Sequence, residues 1–385
     1  MDRAYEVKMP GMSFTLGSHP FGNGGMHVYL VVGVFIGVAM TLLMLVYLSD
    51  ESNEKVRASN SMAPRFDEAK SSTQRRMRLL TRSFGALWIV DGVLQLRDAM
   101  PSQFVASVIN PAFSGAPYLL KALGHFAGDL WNIDPVKADL GASFLQITIG
   151  AGLLFLKKGR SWRFIVKLSI VWSLAIFIFG NGFGLFYQAA NSATGAPSAI
   201  LLYLFASIEL LKLSKAEEIS TSNRRIGLFV GSFFIVGTLL SALTSEGYWS
   251  KDGYYLMIKS MASSKQPQFL SELLDLSAKM VKGHGTYMNA AVILIGITIA
   301  LLLFLMPDRK LTASCTFGFG LLTWIFLQDF GVFSPTGTDF NTGLPLMLLA
   351  IALYRDSTEM QAEANFSPHL VQGVKHPTRW REVKV

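Results

Sequence analysis

Apolar runs long enough to cross a lipid bilayer recur along almost the whole of this 385-residue chain, at about residues 27–49, 82–99, 140–157, 163–186, 196–213, 226–244, 287–306, 312–333 and 342–355. A helix rises 1.5 Å per residue, so about 20 apolar residues match a hydrocarbon layer roughly 30 Å thick. The last run is short and needs its polar lead-in, or local thinning of the bilayer, to span. The pattern predicts an all-α polytopic membrane protein with about nine transmembrane helices. Composition agrees, since 51% of residues are hydrophobic and 16% charged, with a mean hydropathy of +0.39, outside the balance of a soluble domain. The first run is preceded by a polar segment and followed by a basic one, without a small-residue cleavage site. It reads as a retained helix, not a signal peptide.

Basic residues set the expected orientation, because cytoplasmic loops retain Lys and Arg. With the amino terminus outside, the inside segments carry Arg75, Arg76, Arg78 and Arg82, then Lys157, Lys158 and Arg160, then Arg224 and Arg225, then Arg309 and Lys310, and finally the tail. That side then holds most of the 34 Lys and Arg residues, so the net charge of +8 is a topology signal and not a nucleic-acid footprint. The expected location is the cell inner membrane, with the carboxyl terminus cytoplasmic. Cys315 is the single cysteine, which excludes disulfides within the chain and thiolate clusters.

The second half echoes the first at a spacing of about 146 to 150 residues. Phe179-Gly180-Asn181-Gly182-Phe183-Gly184-Leu185-Phe186 aligns with Phe326-Leu327-Gln328-Asp329-Phe330-Gly331-Val332-Phe333, and Thr194-Gly195-Ala196-Pro197 with Thr342-Gly343-Leu344-Pro345. Each copy reads helix, external segment, helix, basic inside turn, helix, polar outside loop, helix. An even number of spans per copy makes the two four-helix repeats parallel. The expected divisions are an external segment 1–26, a first helix 27–49, a basic cytoplasmic linker 50–81, repeat one 82–213, a linker 214–225, repeat two 226–355 and a cytoplasmic tail 356–385. The external segments 100–139 and 245–286 carry apolar residues at helical spacing, including Leu270, Leu273, Leu274 and Leu276, and predict amphipathic helices on the outer interface.

An ionisable side chain at membrane depth costs roughly 2.5 kcal/mol or more, so it needs a partner or a task. Trp88, Asp91 and Gln95 share one helix face, a candidate site for a proton, a cation or a quinone headgroup. The plainer reading is an Asp91 bonded to a neighbouring helix. Gln146, Asn181, Gln328 and Asp329 are further candidates for a polar pocket between the copies, although each is equally readable as satisfied within its own bundle. His19, Met26, His27, His125, His284 and Met288 fall on the external side and form an imidazole and thioether set suited to copper, against interfacial residues binding no metal. Glu209 pairs on sequence with Lys212, three residues on. No catalytic motif appears.

Asp91-Gly92-Val93-Leu94-Gln95, the helix Gln146-Ile147-Thr148-Ile149-Gly150-Ala151-Gly152-Leu153-Leu154 and the turn Lys157-Lys158-Gly159-Arg160 resemble the DoxX/DoxD-like superfamily of four-helix membrane proteins. The resemblance covers about 82–213 and, through the repeat, 226–355; Gln146 stands where that family commonly has an acid. It implies an integral membrane subunit or accessory protein of an outward-facing redox system, quinone-linked, or of a metal-handling one. In that reading quinone or copper is the cofactor, the chain is a non-catalytic or quinone-binding subunit, and protein partners dock in the membrane or on its outer face. Two alternatives stand beside it: a small-solute or ion transporter with its site between the repeats, and a purely structural subunit of a larger membrane complex.

Overall fold

The computed structural model describes residues 66–184, 191–214, 219–243 and 246–354. The first expected span, His19, Met26, His27 and the tail lie outside the described residues. Those described are helical without strands. In chain order the helices are α1 (Phe66–Gln95), α2 (Met100–Ala112), α3 (Tyr118–Asn132), α4 (Pro135–Phe155), α5 (Arg160–Gly180), α6 (Ala199–Leu213), α7 (Ile219–Leu243), α8 (Gly253–Ala262), α9 (Gln268–Val281), α10 (Gly285–Leu305), α11 (Lys310–Phe326) and α12 (Gly343–Leu353).

Among the described residues four helices are long and apolar enough to cross a membrane: α4, α5, α7 and α10. A fifth candidate arises if the last 22 residues of α1 and α2, which meet at a 90° bend, count as one broken span. The sequence predicts more, and α6 and α12 account for part of the difference. At 15 and 11 residues they are about 22 and 16 Å long, short of a roughly 30 Å layer. They are also the central helices. α12 touches α1, α6, α7 and α11, and α6 touches α1; nearly every residue of α12 and most of those of α6 are buried. A helix that is apolar all round belongs inside a bundle.

Around that pair α1 lies along α4, α7 along α10, α5 along α6 and α11 along α12. Small residues permit the first contact: a Cβ on Gly150 would sit 2.5 Å from the Gly85 carbonyl oxygen and 2.8 Å from the Ile89 nitrogen, a backbone approach typical of helices packed in lipid. One continuous core joins Trp88 and Tyr203 to Phe234, Met347 and Leu349, so both halves share it. The outward faces are apolar too. Phe144, Phe164, Val171 and Leu294 are each more than 60% exposed, and a contiguous exposed apolar surface of this kind fits lipid better than water.

The basic linker ends earlier than hydropathy indicates. From Phe66 the chain is already α1, because Met77, Leu80, Phe84 and Leu87 recur at helical spacing and bury against the core. Glu209 is likewise corrected. It is fully buried and accepts two bonds from the Arg225 guanidinium, both at 2.9 Å, and one from Ser222; Lys212 is not its partner. The external segments are helical as expected. α8 and α9 pack on each other through Tyr254, Ile258, Leu270 and Leu274, while Leu276 is exposed.

The chain leaves α5 and α11 through turns of one design. Gly182, Phe183 and Gly184 have φ of 50°, 60° and 79°, and Asp329, Phe330 and Gly331 have 48°, 55° and 77°. In each the phenylalanine N–H donates back to the sixth residue before it, Phe177 at 2.9 Å and Trp324 at 3.2 Å, and stacks edge-on against that same ring.

Replacing Gly150 by Val should separate α1 from α4 and destabilise the protein by about 1–3 kcal/mol or more, seen as a lower unfolding midpoint in detergent. Gly141→Val, where an added Cβ meets nothing within 4 Å, should leave the midpoint within about a degree.

Candidate functional site

Continuing the buried stripe of α1, Trp88, Asp91 and Gln95 are 1%, 4% and 2% exposed. Their surroundings differ. The Trp88 indole N–H donates to Ser169 Oγ at 2.9 Å, which lies 2.8 Å from Ser207 Oγ, so α1, α5 and α6 are tied together. Gln95 Nε2 donates to Asp139 Oδ1 at 2.8 Å, and one turn along α4 Ser143 Oγ donates to the Gly92 carbonyl at 2.7 Å. These bonds satisfy the α1–α4 seam. Further down that seam, buried Gln146 leaves its Oε1 without a donor.

Asp91 is different. Its Oδ1 accepts no hydrogen bond. Beside it stands Tyr203 of α6, equally buried, whose hydroxyl acts on the Asp91 carboxyl as a hydrogen-bond donor but stays outside the geometry of a completed bond. The charged group acting on both is Asp339, from the loop between α11 and α12. Two carboxyls and a phenol, from α1, a loop of the other half and α6, therefore act on one another.

That loop is held by the end of α1. The Arg97 guanidinium donates to the carbonyls of Val332, Ser334 and, at 3.3 Å, Gly337. Within the loop Asp339 accepts from the Asn341 N–H at 2.6 Å, and burial raises its carboxyl above the ordinary range. A matching insertion runs the other way. Asn191 leads a short turn, Ser192–Thr194, against α7 and α10, and its Nδ2 donates to the Tyr254 hydroxyl at 3.0 Å. Tyr254 donates to Asn289 Oδ1 at 3.3 Å, and Asn289 Nδ2 to the Ser241 carbonyl at 3.0 Å. Burial pushes the Tyr254 hydroxyl up, which keeps it a neutral link in the chain. Each half thus receives a loop from the other. The second end leaves the Ser192 and Thr238 hydroxyls without partners, whereas the Asp91 end leaves a carboxyl oxygen and a phenol.

The remaining candidates separate. Gln328 is saturated: its Nε2 donates to the Ala193 carbonyl at 3.0 Å and Thr323 Oγ1 at 3.2 Å, and its Oε1 accepts from Gly343 N–H at 3.0 Å and Thr342 Oγ1 at 3.3 Å. It clasps the two loops to each other. Asn181 ends α5 through its backbone bond to the Ile176 carbonyl at 2.9 Å. Asp329 is 7% exposed with an unpartnered Oδ1, and burial lifts its carboxyl to about 7. Asp339, and not Asp329, is the acid that acts on Asp91.

His125 is exposed on α3 and His284 is exposed before α10, with its Nδ1 2.9 Å from the Lys282 carbonyl. Met288 turns into the packing of α8 and α9. Among the described residues no three His, Cys, Asp or Glu side chains converge as metal ligands. Sequence reading did not single out Tyr203, Asp339, Asp139 or Arg97. Tyr203 had a signal, as the lone hydroxylated aromatic in the apolar run of α6; Asp139 had another, four residues before Ser143 on one face. Asp339 and Arg97 had none, since only the loop's path joins them.

No protein-family model, no curated protein and no solved structure matches the chain.

A buried carboxyl with a raised pKa favours the folded protein while protonated and loses that contribution as pH rises through its folded value. For Asp329 the window is about pH 4 to 7. Asp329→Asn, which keeps a side chain tolerant of φ 48°, should remove the part of the fall in unfolding midpoint that wild type shows between pH 5 and 8, and be the more stable of the two at pH 8.

Proposed function

We propose that the chain is an inner-membrane transport protein in which Asp91, Asp339 and Tyr203 bind a proton or a monovalent cation between two four-helix units. The carrying observation is the buried Asp91 Oδ1 without a donor, in a carboxyl on which the Asp339 charge and the Tyr203 hydroxyl both act. Two carboxyls enclosed together repel unless a proton or cation lies between them, and the cost of leaving them unpaired is highest where water is excluded. Ionisable groups that face a bundle interior at membrane depth commonly mark ion pathways.

The units are parallel repeats, α1 to α6 and α7 to α12, following an amino-terminal span, for about nine spans in all with α6 and α12 included and the amino terminus outside. Several features support this. The helix order is the same in both, the pairs α1–α4 and α5–α6 recur as α7–α10 and α11–α12, and the left-handed turns at 182–184 and 329–331 share backbone angles and bonds. Gly85 and Gly150 recur as Gly231 and Gly296 at the helix contacts. Basic turns at the start of α5 and α11 support the orientation.

A site shared between parallel repeats suits transport by rocking. Asp91 and Tyr203 belong to the first unit and Asp339 to the second, so a rotation of one unit against the other separates the carboxyls and releases what they hold. Arg97 spans the same boundary and keeps the loop seated in the closed state. The quinone-linked reading has less support here, because the indole of Trp88 and the amide of Gln95, the donors expected to meet a headgroup, are already bonded to Ser169 and Asp139.

Infrared difference spectra of the purified protein between pH 5 and 9 should contain a protonated-carboxyl stretch that Asp91→Asn removes and Asp339→Asn shifts. In proteoliposomes under an imposed proton or sodium gradient, Asp91→Asn should slow cation movement about tenfold or more while Asp329→Asn stays near wild type. Unchanged spectra and unchanged flux in Asp91→Asn overturn the proposal.

A further inference from the structure

α5 presents one exposed stripe along its length. Arg160, Arg163, Phe164 and Lys167 occupy its first two turns, and Val171 and Leu174 continue it, Phe164 being 64%, Val171 63% and Leu174 41% exposed. The spacing of three or four residues puts them one above another on a single face. The stripe is cationic for about 10 Å, at 1.5 Å per residue, and purely apolar beyond. A groove between α5 and Leu211 of α6 is lined by Arg160, Arg163, Phe164 and Lys167. Among the described residues no acid pairs with these three cations. The adjoining turn adds to the field: burial, and then the Arg78 guanidinium, holds the Lys158 ammonium below its ordinary value.

We propose that this groove is a binding site for an anionic phospholipid of the inner leaflet, its phosphate held by Arg160, Arg163 and Lys167 and an acyl chain lying along Val171 and Leu174. Charge complementarity selects the headgroup. An arginine pair can engage phosphate oxygens with several N–H donors, and the flexible Lys167 reaches up from the helix below. The change from cationic to apolar along one face selects a lipid over a soluble phosphate, because a free anion has no use for the apolar half. The corresponding groove at the start of α11, lined by Met306, Arg309, Lys310, Leu311 and Thr312, is weaker. It has two cations, one of which lies over the Tyr354 ring, and below it the exposed face passes through Ser314.

The test is thermal unfolding of the purified full chain in neutral detergent, with dioleoylphosphatidylglycerol, dioleoylphosphatidylcholine or inorganic phosphate added. Phosphatidylglycerol should raise the midpoint, and neither phosphatidylcholine nor inorganic phosphate should reproduce the shift. The half-saturating phosphatidylglycerol concentration should rise about tenfold or more in Arg160→Gln/Arg163→Gln/Lys167→Gln, and by much less in Arg309→Gln/Lys310→Gln. All the replaced side chains of α5 are exposed, so the variants should elute as wild type by size exclusion. The single change Arg163→Gln, giving an intermediate loss, guards against a folding defect in the triple variant. An equal response to inorganic phosphate, or an unaltered phosphatidylglycerol response in the triple variant, overturns the proposal.

Discussion

The exchange of loops between the two halves is the contact on which the rest of the structure depends. Arg97, at the end of α1, binds three backbone carbonyls of the segment before α12, and Asn191, before α6, is bonded into the side of the other half through Tyr254. A backbone segment that leaves helical geometry inside an apolar environment must find hydrogen-bond partners in the protein. Here each loop finds them across the boundary, and Gln328 joins the loops with four bonds of its own. Neither half could satisfy its own loop in this way, which explains why α6 and α12 are short and why both halves share one core.

The α1–α4 and α7–α10 contacts are finished differently. On the α7 side the seam holds Gly237, Ser241 and Asn289, bonded to one another, with the neutral Thr238 hydroxyl left without a partner. On the α1 side the same level holds Asp91, Gln95, Asp139 and Ser143. Gln95 and Ser143 are committed to the seam, and Asp91 is left facing Tyr203 and Asp339. A neutral seam on one side gives rigidity, whereas an unsatisfied carboxyl on the other concentrates the unfavourable electrostatics where the halves meet. That asymmetry separates a site from a structural polar contact.

Some of this was legible in the residues. The unbroken apolar runs of α4, α5, α7 and α10 mark helices because a single helix satisfies its own backbone within a span of that length. The aligned Phe-Gly segments correspond to two turns of one backbone geometry, and Asp91 stood out by charge alone. Other parts were not legible. The stretch before residue 82 is polar in composition, yet its few apolar residues fall on one face and carry α1 back to Phe66. Glu209 had a basic neighbour three residues on, yet the preferred partner comes from α7, because Arg225 offers two parallel donors in a buried place.

The sequence alone determined the helical class and the apolar exterior, since both follow from the length of the apolar runs and from what lipid tolerates. Only the tertiary structure decided which polar residues meet. Asp91 and Asp339 lie far apart in the chain, and the charge of one reaches the other because an irregular loop is tied to the end of α1, a path set by hydrogen bonds between segments that no short window of residues records.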